Sequence, residues 1–319
     1  MFPRIVLFCG GVGGARMANG FAAAMAPQDL QIAVNVGDDF VFCGLNVSPD
    51  LDTVMYTLAG LNDTQRGWGF RDETWIASRR TAQLGGPAWF QLGDRDLATH
   101  LTRTAQLAEG KSLSAVTASL CSAVGIQHSI VPVSDQPIRT RIRTADTLLD
   151  FQDYFVRQKA EPVASQILYS GASEANLVNA VRLALDNTHL QAVIIAPSNP
   201  WLSIGPMLAI PELKTTLQRL RARTPVIAIS PIIAGQAIKG PAAKLLGELG
   251  HEVSAFGVAE YYKGLITHLV IDNGDAHLAE RIRGLGMQVH CTDILIPTPA
   301  EQTRLAQQLL ALVSSTATA

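Results

Sequence analysis

The chain has 319 residues, of which 48% are hydrophobic and only 16% are charged, with a formal net charge of −2. This composition is typical of a globular protein with a large core and excludes an intrinsically disordered chain. The near-neutral charge offers no electrostatic basis for binding nucleic acid or an anionic membrane, so neither partner is expected. No stretch reaches the roughly 18 apolar residues of a membrane-spanning helix and no signal peptide is predicted, so we expect a cytoplasmic protein.

Short apolar runs alternate along the chain with segments of helical spacing. The first apolar run, residues 4–9, predicts a strand, and the Ala- and Met-rich segment 15–26 predicts the helix that follows it. Further strands and helices are predicted, in chain order, at 30–36, 51–61, 190–197, 212–222, 225–230, 241–250, 267–273 and 276–286. This alternation predicts an α/β fold, in which a mainly parallel sheet carries helices on both faces.

One region in the first half of the chain interrupts this alternation. It contains three tryptophans and two segments of helical spacing, but no convincing buried strand. We therefore predict a nucleotide-binding core formed by residues 1–63 and 126–319, and a mostly helical insertion or lid subdomain formed by residues 64–125. Residues 138–143 then alternate arginine with Ile or Thr, which places the arginines on one face of a strand, either solvated or anion-binding.

Four glycines follow the first predicted strand within five positions, beginning with Gly10. Ligands of an open parallel sheet bind outside the carboxyl ends of its strands, where glycines let backbone N–H groups approach a phosphate. Gly11, Val12, Gly13 and Gly14 are therefore candidate substrate-binding residues. The segment is not a Walker A loop, because no Gly-Lys-Ser/Thr follows. A tight turn that serves only helix–strand packing is the alternative.

Acidic residues gather directly after the second predicted strand. Asp38 and Asp39 follow that strand, and Asp50 and Asp52 lie in the first turn of the next predicted helix. Helix capping accounts for one or two of these acids but not readily for four within fifteen residues. We interpret Asp38 and Asp39 as substrate-binding residues and the other two as catalytic.

A third acidic group opens a later helix and contains Asp94, Asp96 and His100. Two carboxylates about 4 Å apart repel by about 4 kcal/mol at an effective dielectric near 20. If this group converges with Asp50 and Asp52, a bound cation would offset the repulsion, and Mg²⁺ prefers such oxygen ligands. We therefore predict Asp50 and Asp52 as Mg²⁺ ligands, Asp94 as a further catalytic residue, and Asp96 and His100 as substrate-binding residues.

Two later segments also follow predicted strands. Ser198 and Asn199 are placed to hydrogen-bond a base, a ribose or a phosphate, or to serve only as turn residues. Lys239 and Gly240 open a predicted helix that also carries Lys244. They form a candidate anion site, with lysines on the protein surface as the alternative.

These segments, taken in order, resemble the CofD family, the 2-phospho-L-lactate transferases of coenzyme F-420 biosynthesis. The resemblance extends over nearly the whole chain. It is carried by residues 10–20, 35–60, 67–75, 92–100, 196–207, 229–246 and 257–262. This chain departs from the family pattern at Val12, where the family has Thr, and at Arg16, where it has Lys.

The resemblance implies a Rossmann-like core with a smaller subdomain, and a homodimer. It implies transfer of a phosphorylated three-carbon acid from a guanosine diphosphate-linked donor to the ribityl hydroxyl of the deazaflavin FO. GMP would leave, and Mg²⁺ would be the cofactor. The acid stays open among 2-phospholactyl, phosphoenolpyruvyl and 3-phosphoglyceryl groups. Trp68 and Trp89 either cover the flat deazaflavin or form only the core of the insertion.

Two other classes of protein fit part of the pattern. An NAD(P)-dependent oxidoreductase would use the glycine segment, and Asp38 or Asp39 for the ribose, but it would leave the other acids unexplained. A non-catalytic nucleotide-sugar-binding regulator, resembling the gluconeogenesis-factor relatives of this fold, would need no metal cluster. Divalent-metal dependence of GMP release distinguishes the transferase from both.

Overall fold

The structure is a computed structural model that describes residues 4–238 and 240–316. Its strands are β1 (Ile5–Cys9), β2 (Leu30–Val34), β3 (Phe40–Phe42), β4 (Leu45–Val47), β5 (Ser129–Pro132), β6 (Arg139–Arg143), β7 (Leu148–Asp150), β8 (Gln166–Ser170), β9 (Ala192–Ile195), β10 (Val226–Ile229), β11 (Ile232–Ile233), β12 (Gln236–Ala237), β13 (His268–Ile271) and β14 (Gln288–Cys291). Its α-helices are α1 (Gly11–Ala24), α2 (Pro49–Leu58), α3 (Ile76–Gln83), α4 (Asp94–Ala108), α5 (Leu113–Ala123), α6 (Asn179–Asp186), α7 (Gly205–Leu208), α8 (Pro211–Leu220), α9 (Ala242–Glu248), α10 (Ala255–Tyr261), α11 (Ala279–Arg283) and α12 (Pro299–Thr316). Among the helices described, none has the length and apolar character needed to cross a bilayer.

Seven strands form one parallel sheet in the order β14-β13-β10-β9-β1-β2-β5. In the register of the central strands, Ile5 of β1 lies between Leu30 of β2 and Ala192 of β9. Every residue of β1, β2, β9 and β10 is buried. Because a parallel sheet of this kind must be covered on both faces, the predicted α/β class with flanking helices is confirmed.

The order of the strands positions a crevice at the middle of the sheet. From β1 the chain adds β2 and β5 on one side, and it then crosses to add β9, β10, β13 and β14 on the other. The connections that leave β1 and β9 therefore diverge, and ligands of doubly wound sheets bind at such a point. Residues 10–14 and 197–203 are the segments that meet there.

Several segments lie outside the parallel sheet, among them the short β11–β12 hairpin that follows β10. The hairpin of β3 and β4 and the antiparallel sheet β7-β6-β8 follow the second and fifth strands. In β6, Thr140 and Ile142 are buried, whereas Arg139, Arg141 and Arg143 on the opposite face are partly or fully exposed, as the alternation predicted. Within residues 64–125 the chain forms α3, α4 and α5, and α5 packs against β5. The boundaries of a lid subdomain stay a prediction.

Several parts of the fold differ from the sequence prediction, which did not include the β3–β4 hairpin, β8 or α6. Helix α1 begins at Gly11, four residues earlier than predicted, so most of the expected glycine loop is the first turn of a helix. The prediction also omitted β14 and α12, because β14 is short and partly exposed and α12 carries many Gln and Thr residues among its apolar ones. Helix α12 packs along α1 and covers it.

The contact between α1 and α12 depends on Gly20. A Cβ atom at this position would overlap the backbone carbonyl of Gln302 in α12. Only glycine therefore allows the two helices to approach this closely. Gly247 in α9 is also a helical glycine, but a Cβ there would lie 3.4 Å from Val253 Cγ2, an ordinary contact.

We expect Gly20→Ala to lower the free energy of unfolding by about 1–3 kcal/mol, the usual cost of overpacking. Helix propensity alone would favour alanine by about 1 kcal/mol. Urea unfolding of the purified protein measures the effect. The matched control Gly247→Ala should be neutral or stabilising, and equal effects of the two changes would contradict this account of the helix contact.

Candidate functional site

A cavity of about 620 Å³ opens at the crevice between β1 and β9. Residues from the glycine segment, the acidic segment, the β9 loop and the lid contribute to its wall. The sequence-predicted site residues that line it are Gly11, Val12, Gly13, Asp38, Asp50, Ser198, Asn199 and Gly240. The structure thus brings together residues that are up to 230 positions apart in the chain, as expected for the carboxyl edge of a parallel sheet.

The turn from β1 into α1 is built around the carboxylate of Asp50. Gly10 is extended and Gly11 has a φ of +64°, which turns the chain into the helix. The Gly11 N–H donates to Asp50 Oδ1 at 2.6 Å, and a Cβ atom on Gly10 would overlap Asp50 Oδ2. A negative charge is stabilised at a helix N-terminus. The position that the sequence suggested for a phosphate is therefore capped by a carboxylate of this chain.

The other two glycines allow α1 to approach the β9 loop. A Cβ atom on Gly13 would lie 2.6 Å from the Pro197 carbonyl oxygen, and one on Gly14 would lie 2.7 Å from Ser198 Oγ. The Ser198 hydroxyl donates to the Gly10 carbonyl at 2.7 Å and accepts from the Gly10 N–H at 3.2 Å. Packing alone therefore explains Gly13 and Gly14, because a side chain would meet the β9 loop before it met a ligand.

Three buried carboxylates lie behind this turn. Asn35 Nδ2 donates to Asp50 Oδ2 at 3.0 Å and to Asp38 Oδ1 at 3.3 Å, so one amide joins the two acids. Asp39 accepts from the Ser48 hydroxyl at 2.9 Å, and its Oδ1 is buried without a hydrogen-bond partner in the described part of the chain. We call Asp38, Asp39 and Asp50 the crevice acids.

Burial makes ionisation of the crevice acids costly. Burial, and then the charges of Asp50 and Asp39, raise the pKa of Asp38 well above its ordinary value. Burial raises the pKa of Asp39 to about 7, although Arg139 opposes the shift. Burial raises the pKa of Asp50 to about 6, although the hydrogen bond from Asn35 opposes the shift. A divalent cation would stabilise the charged forms, and the all-oxygen donor set suits Mg²⁺.

Asp52 lies elsewhere, although it is only two residues from Asp50. Both of its oxygens bind the guanidinium of Arg103, with Nη1 at 3.0 Å from Oδ2, and Arg103 is only 2% exposed. Residues two apart on a helix do not face the same side, so α2 directs Asp50 to the cavity and Asp52 to α4. The structure therefore does not support the predicted pairing of Asp50 and Asp52 around one Mg²⁺ ion.

Asp96 and His100 of the third acidic group converge with Asp52, but not with Asp50, and the cation beside Asp52 is a side chain, Arg103. His100 lies 3.3 Å from Asp96 and 3.6 Å from Asp52, and the Tyr56 hydroxyl donates to Asp96 at 2.7 Å. Although burial alone would raise it, the pKa of Asp96 is lowered by His100 and Tyr56. Ligand atoms of Asp52, Asp96 and His100 lie within 4.8 Å of one another, a spacing suited to a metal, yet the charge of Asp52 is already paired with Arg103.

Asp94, predicted as catalytic, caps helix α3. Its carboxylate accepts from the N–H groups of Ile76 and Ala77 at 3.0 and 2.9 Å and from the Thr74 hydroxyl at 2.5 Å. These hydrogen bonds, that from Thr74 first, lower the pKa of Asp94. Asp94 does not line the cavity, so its position supports a structural role.

The predicted anion site at α9 is only partly present. Gly240 lines the cavity and has a φ of +71°, but Lys239 lies outside the described residues. Lys244 donates to the Pro162 carbonyl at 2.8 Å and pairs with Glu248. Lys244 therefore ties α9 to the segment before β8 and does not face a ligand.

An aromatic wall completes the cavity. It is formed by Trp68, Trp89, Phe90, Phe151 and Phe155. Trp68 is 41% exposed, whereas Trp89 also packs on the β3–β4 hairpin, so Trp89 is part of both the lid core and the wall. Arg16 and Arg66 line the same cavity, and Arg66 is paired with Asp63 at 2.9 Å.

Sequence reasoning missed several of these residues. Asn35 could have been found from the sequence, because it is a polar residue directly after a wholly buried strand. The same argument led to the prediction of Asp38. Arg103 follows Asp96 and His100 on one face of α4, and a helical wheel would have shown this. Phe151 and Phe155 carry no such signal, since only the tertiary fold brings β7 and the turn after it to the crevice.

The fold and the cavity define a parallel α/β protein with an acid-lined ligand crevice at the point where the strand order reverses. The model of the family described as 2-phospho-L-lactate transferase CofD matches residues 5–304, and the chain belongs to this family.

Relatives of known name match along nearly the full chain. The chain is 39% identical over 316 residues to a phosphoenolpyruvate transferase of Kitasatospora aureofaciens, covering 97% of each chain. It is 34% identical to a 2-phospho-L-lactate transferase of Methanosarcina mazei, covering 95% of this chain and 98% of the relative. A crystal structure of a UPF0052-family protein from Bacillus halodurans shares the fold, with a TM-score of 0.61, 11% identity, and coverage of 97% of this chain and 99% of the other.

We expect Arg103→Met to lower the free energy of unfolding by about 3–5 kcal/mol, because it leaves Asp52 buried without its partner. Urea unfolding measures the loss. The matched control Arg219→Met removes an exposed ion pair with Asp186 and should change stability little. Similar stabilities of the two variants would show that the buried pair does not hold α2 and α4 together.

Proposed function

We propose that this protein is a Mg²⁺-dependent transferase of coenzyme F-420 biosynthesis. It would move a phosphorylated three-carbon acid from a guanosine diphosphate-linked donor to the deazaflavin FO and release GMP. The observation that carries this proposal is one cavity that joins buried acids, a helix N-terminus and an aromatic wall. Membership of the CofD family and the names of the relatives support the type of group transferred.

The aromatic wall suits the acceptor. A deazaflavin is flat and largely apolar, and aromatic side chains favour stacked or edge-on contact with such rings. Phe151 and Phe155 stack on each other at 5.5 Å, and Trp68 stands partly exposed beside the cavity. The volume of about 620 Å³ falls in the usual range for small-molecule sites. In this arrangement the ribityl end of FO would point toward the crevice acids.

The crevice acids fit the expected metal. Asp38 and Asp50 line the cavity, and their hydrogen-bond donors, Asn35 and the backbone of Gly11, are neutral and leave their charge uncancelled. These two carboxylates would hold Mg²⁺, which when bound neutralises phosphate charge and polarises the phosphoryl oxygens. Asp39, behind them, would add negative charge to the site.

The chemistry requires little more than positioning. The ribityl oxygen attacks phosphorus, its bond to phosphorus forms as the bond to the departing GMP breaks, and the hydroxyl proton is released. Such transfers depend mainly on alignment and neutralisation of charge. Arg16 lines the cavity and would neutralise phosphate oxygens, whereas Arg66, which also lines it, is paired with Asp63 at 2.9 Å. Ser198 holds the β9 loop against α1.

The identity of the three-carbon acid, the homodimer and the cytoplasmic location stay predictions. The names of the two relatives refer to different acids, phosphoenolpyruvate and 2-phospho-L-lactate, and both relatives have similar sequence identity to this chain. Phospholactyl, phosphoenolpyruvyl and phosphoglyceryl donors differ by small groups, so a competition among the three, read by product mass, would identify the preferred donor.

We expect incubation with FO, Mg²⁺ and a guanosine diphosphate-linked donor to yield FO heavier by the phosphorylated acid, with GMP in equal amount. Chromatography and mass spectrometry measure both products, and chelation of Mg²⁺ should abolish them. GMP without modified FO would indicate a hydrolase. Oxidation of NAD(P)H with FO would instead support an oxidoreductase, and nucleotide-sugar binding without turnover would support a regulator.

We expect Asp50→Asn to reduce turnover at least a hundredfold while the protein stays folded, because the substitution removes a charge at the proposed metal. The matched control Asp94→Asn should keep near-normal turnover, since Asp94 caps α3 outside the cavity. Steady-state kinetics over a range of Mg²⁺ concentrations measure both. Wild-type turnover of Asp50→Asn at limiting Mg²⁺ would exclude Asp50 as a ligand.

A further inference from the structure

We infer that Asn35 positions Asp38 and Asp50 so that the two carboxylates together bind a divalent cation. This inference rests on the metal site of the proposed function and adds a residue that sequence reasoning did not single out. Asn35 touches the two carboxylates and not the cavity, so it is a positioning residue.

The location of Asn35 is set by the sheet. It follows the last residue of β2, and its N–H donates to the Cys9 carbonyl at 3.0 Å, which extends the pairing of β2 with β1. The residue is fully buried at the crevice. The sheet therefore holds the backbone of Asn35 in place, and this limits the positions that its side chain can adopt.

The amide group has one orientation. Asn35 Oδ1 accepts from the Gly37 N–H at 2.8 Å, so Nδ2 must face the other way, toward the acids. Nδ2 then donates to Asp50 at 3.0 Å and to Asp38 at 3.3 Å, and it also donates to the Leu202 carbonyl at 3.4 Å. Because a buried amide in a flipped orientation would lose these bonds, the network specifies the direction of both carboxylates.

The Asn35 amide is a neutral hydrogen-bond donor, so it does not cancel the charge of the carboxylates that it binds, as a guanidinium would. The same chain contains a second buried acidic group, in which the Arg103 guanidinium binds Asp52 and cancels its charge. Asn35 orients Asp38 and Asp50 but cancels nothing, so both remain available to balance a divalent cation. Hydrogen-bond partners of metal-binding carboxylates commonly affect metal affinity in this way.

Titration calorimetry of Mn²⁺ into the full-length, substrate-free protein tests the inference, with Mn²⁺ standing in for Mg²⁺. We expect Asn35→Leu and Asn35→Ser each to weaken binding about 10–100-fold. The matched control is Gln31→Leu, which removes another buried amide of β2, one that donates to the Ser129 carbonyl at 3.2 Å away from the acids. Its Mn²⁺ affinity should stay within about twofold of the wild type, whatever its loss of stability, because its bonds do not reach a carboxylate.

Circular dichroism of each variant separates folding from binding. Wild-type Mn²⁺ affinity in a folded Asn35 variant would overturn the inference, as would an equal loss in Gln31→Leu, absence of Mn²⁺ binding by the wild type, or failure of both Asn35 variants to fold. The transfer assay is read independently. Transfer that does not need a metal would support the proposed group transfer and contradict this metal site. Asn35-dependent Mn²⁺ binding without any transfer would support the metal site and contradict the proposed function.

Discussion

The carboxylate of Asp50 at the N-terminus of α1 is the interaction on which the rest of the crevice depends. It joins the start of α1 to the first turn of α2, and Asn35 joins it to the carboxyl end of β2. The glycines around it are needed because a side chain at Gly10 would displace this carboxylate. The turn is therefore shaped by a carboxylate of the chain itself, which occupies the N-terminus of α1, where a phosphate would otherwise bind.

Two groups of buried acids show two ways of accommodating like charge. The group around Asp52 is closed, because Arg103 and His100 lie among its carboxylates and tie α4 to α2. Asp38 and Asp50 instead receive neutral donors and line a cavity, and burial raises their pKa values. The first arrangement fixes α4 against α2, and the second leaves two acids without a positively charged partner beside a cavity. That difference, and not the number of acids, marks the functional cluster.

The parallel sheet and residues 64–125 contribute different parts of the cavity wall. The parallel sheet supplies the acids and the helix N-terminus, which require fixed geometry, and residues 64–90 supply tryptophans that need only present a flat surface. Trp89 packs with Phe42 and Phe90 as well as lining the cavity. The α2–α4 ion pair anchors residues 64–125 to the core, so the stability of this region and the shape of the cavity are physically linked.

The sequence by itself determined the α/β class, the glycine turn after β1 and the gathering of acids at strand ends, because strand and helix periods and turn chemistry are local properties. It could not assign partners to the acids. Asp50 and Asp52 look equivalent in the sequence, yet the 100° advance per residue of α2 directs one to α1 and the other to Arg103, more than fifty residues away. Asn35 and Phe155 likewise acquired their roles only when the strand order brought distant segments to one crevice. Contacts of that kind depend on how elements pack, and packing is decided by the whole tertiary structure.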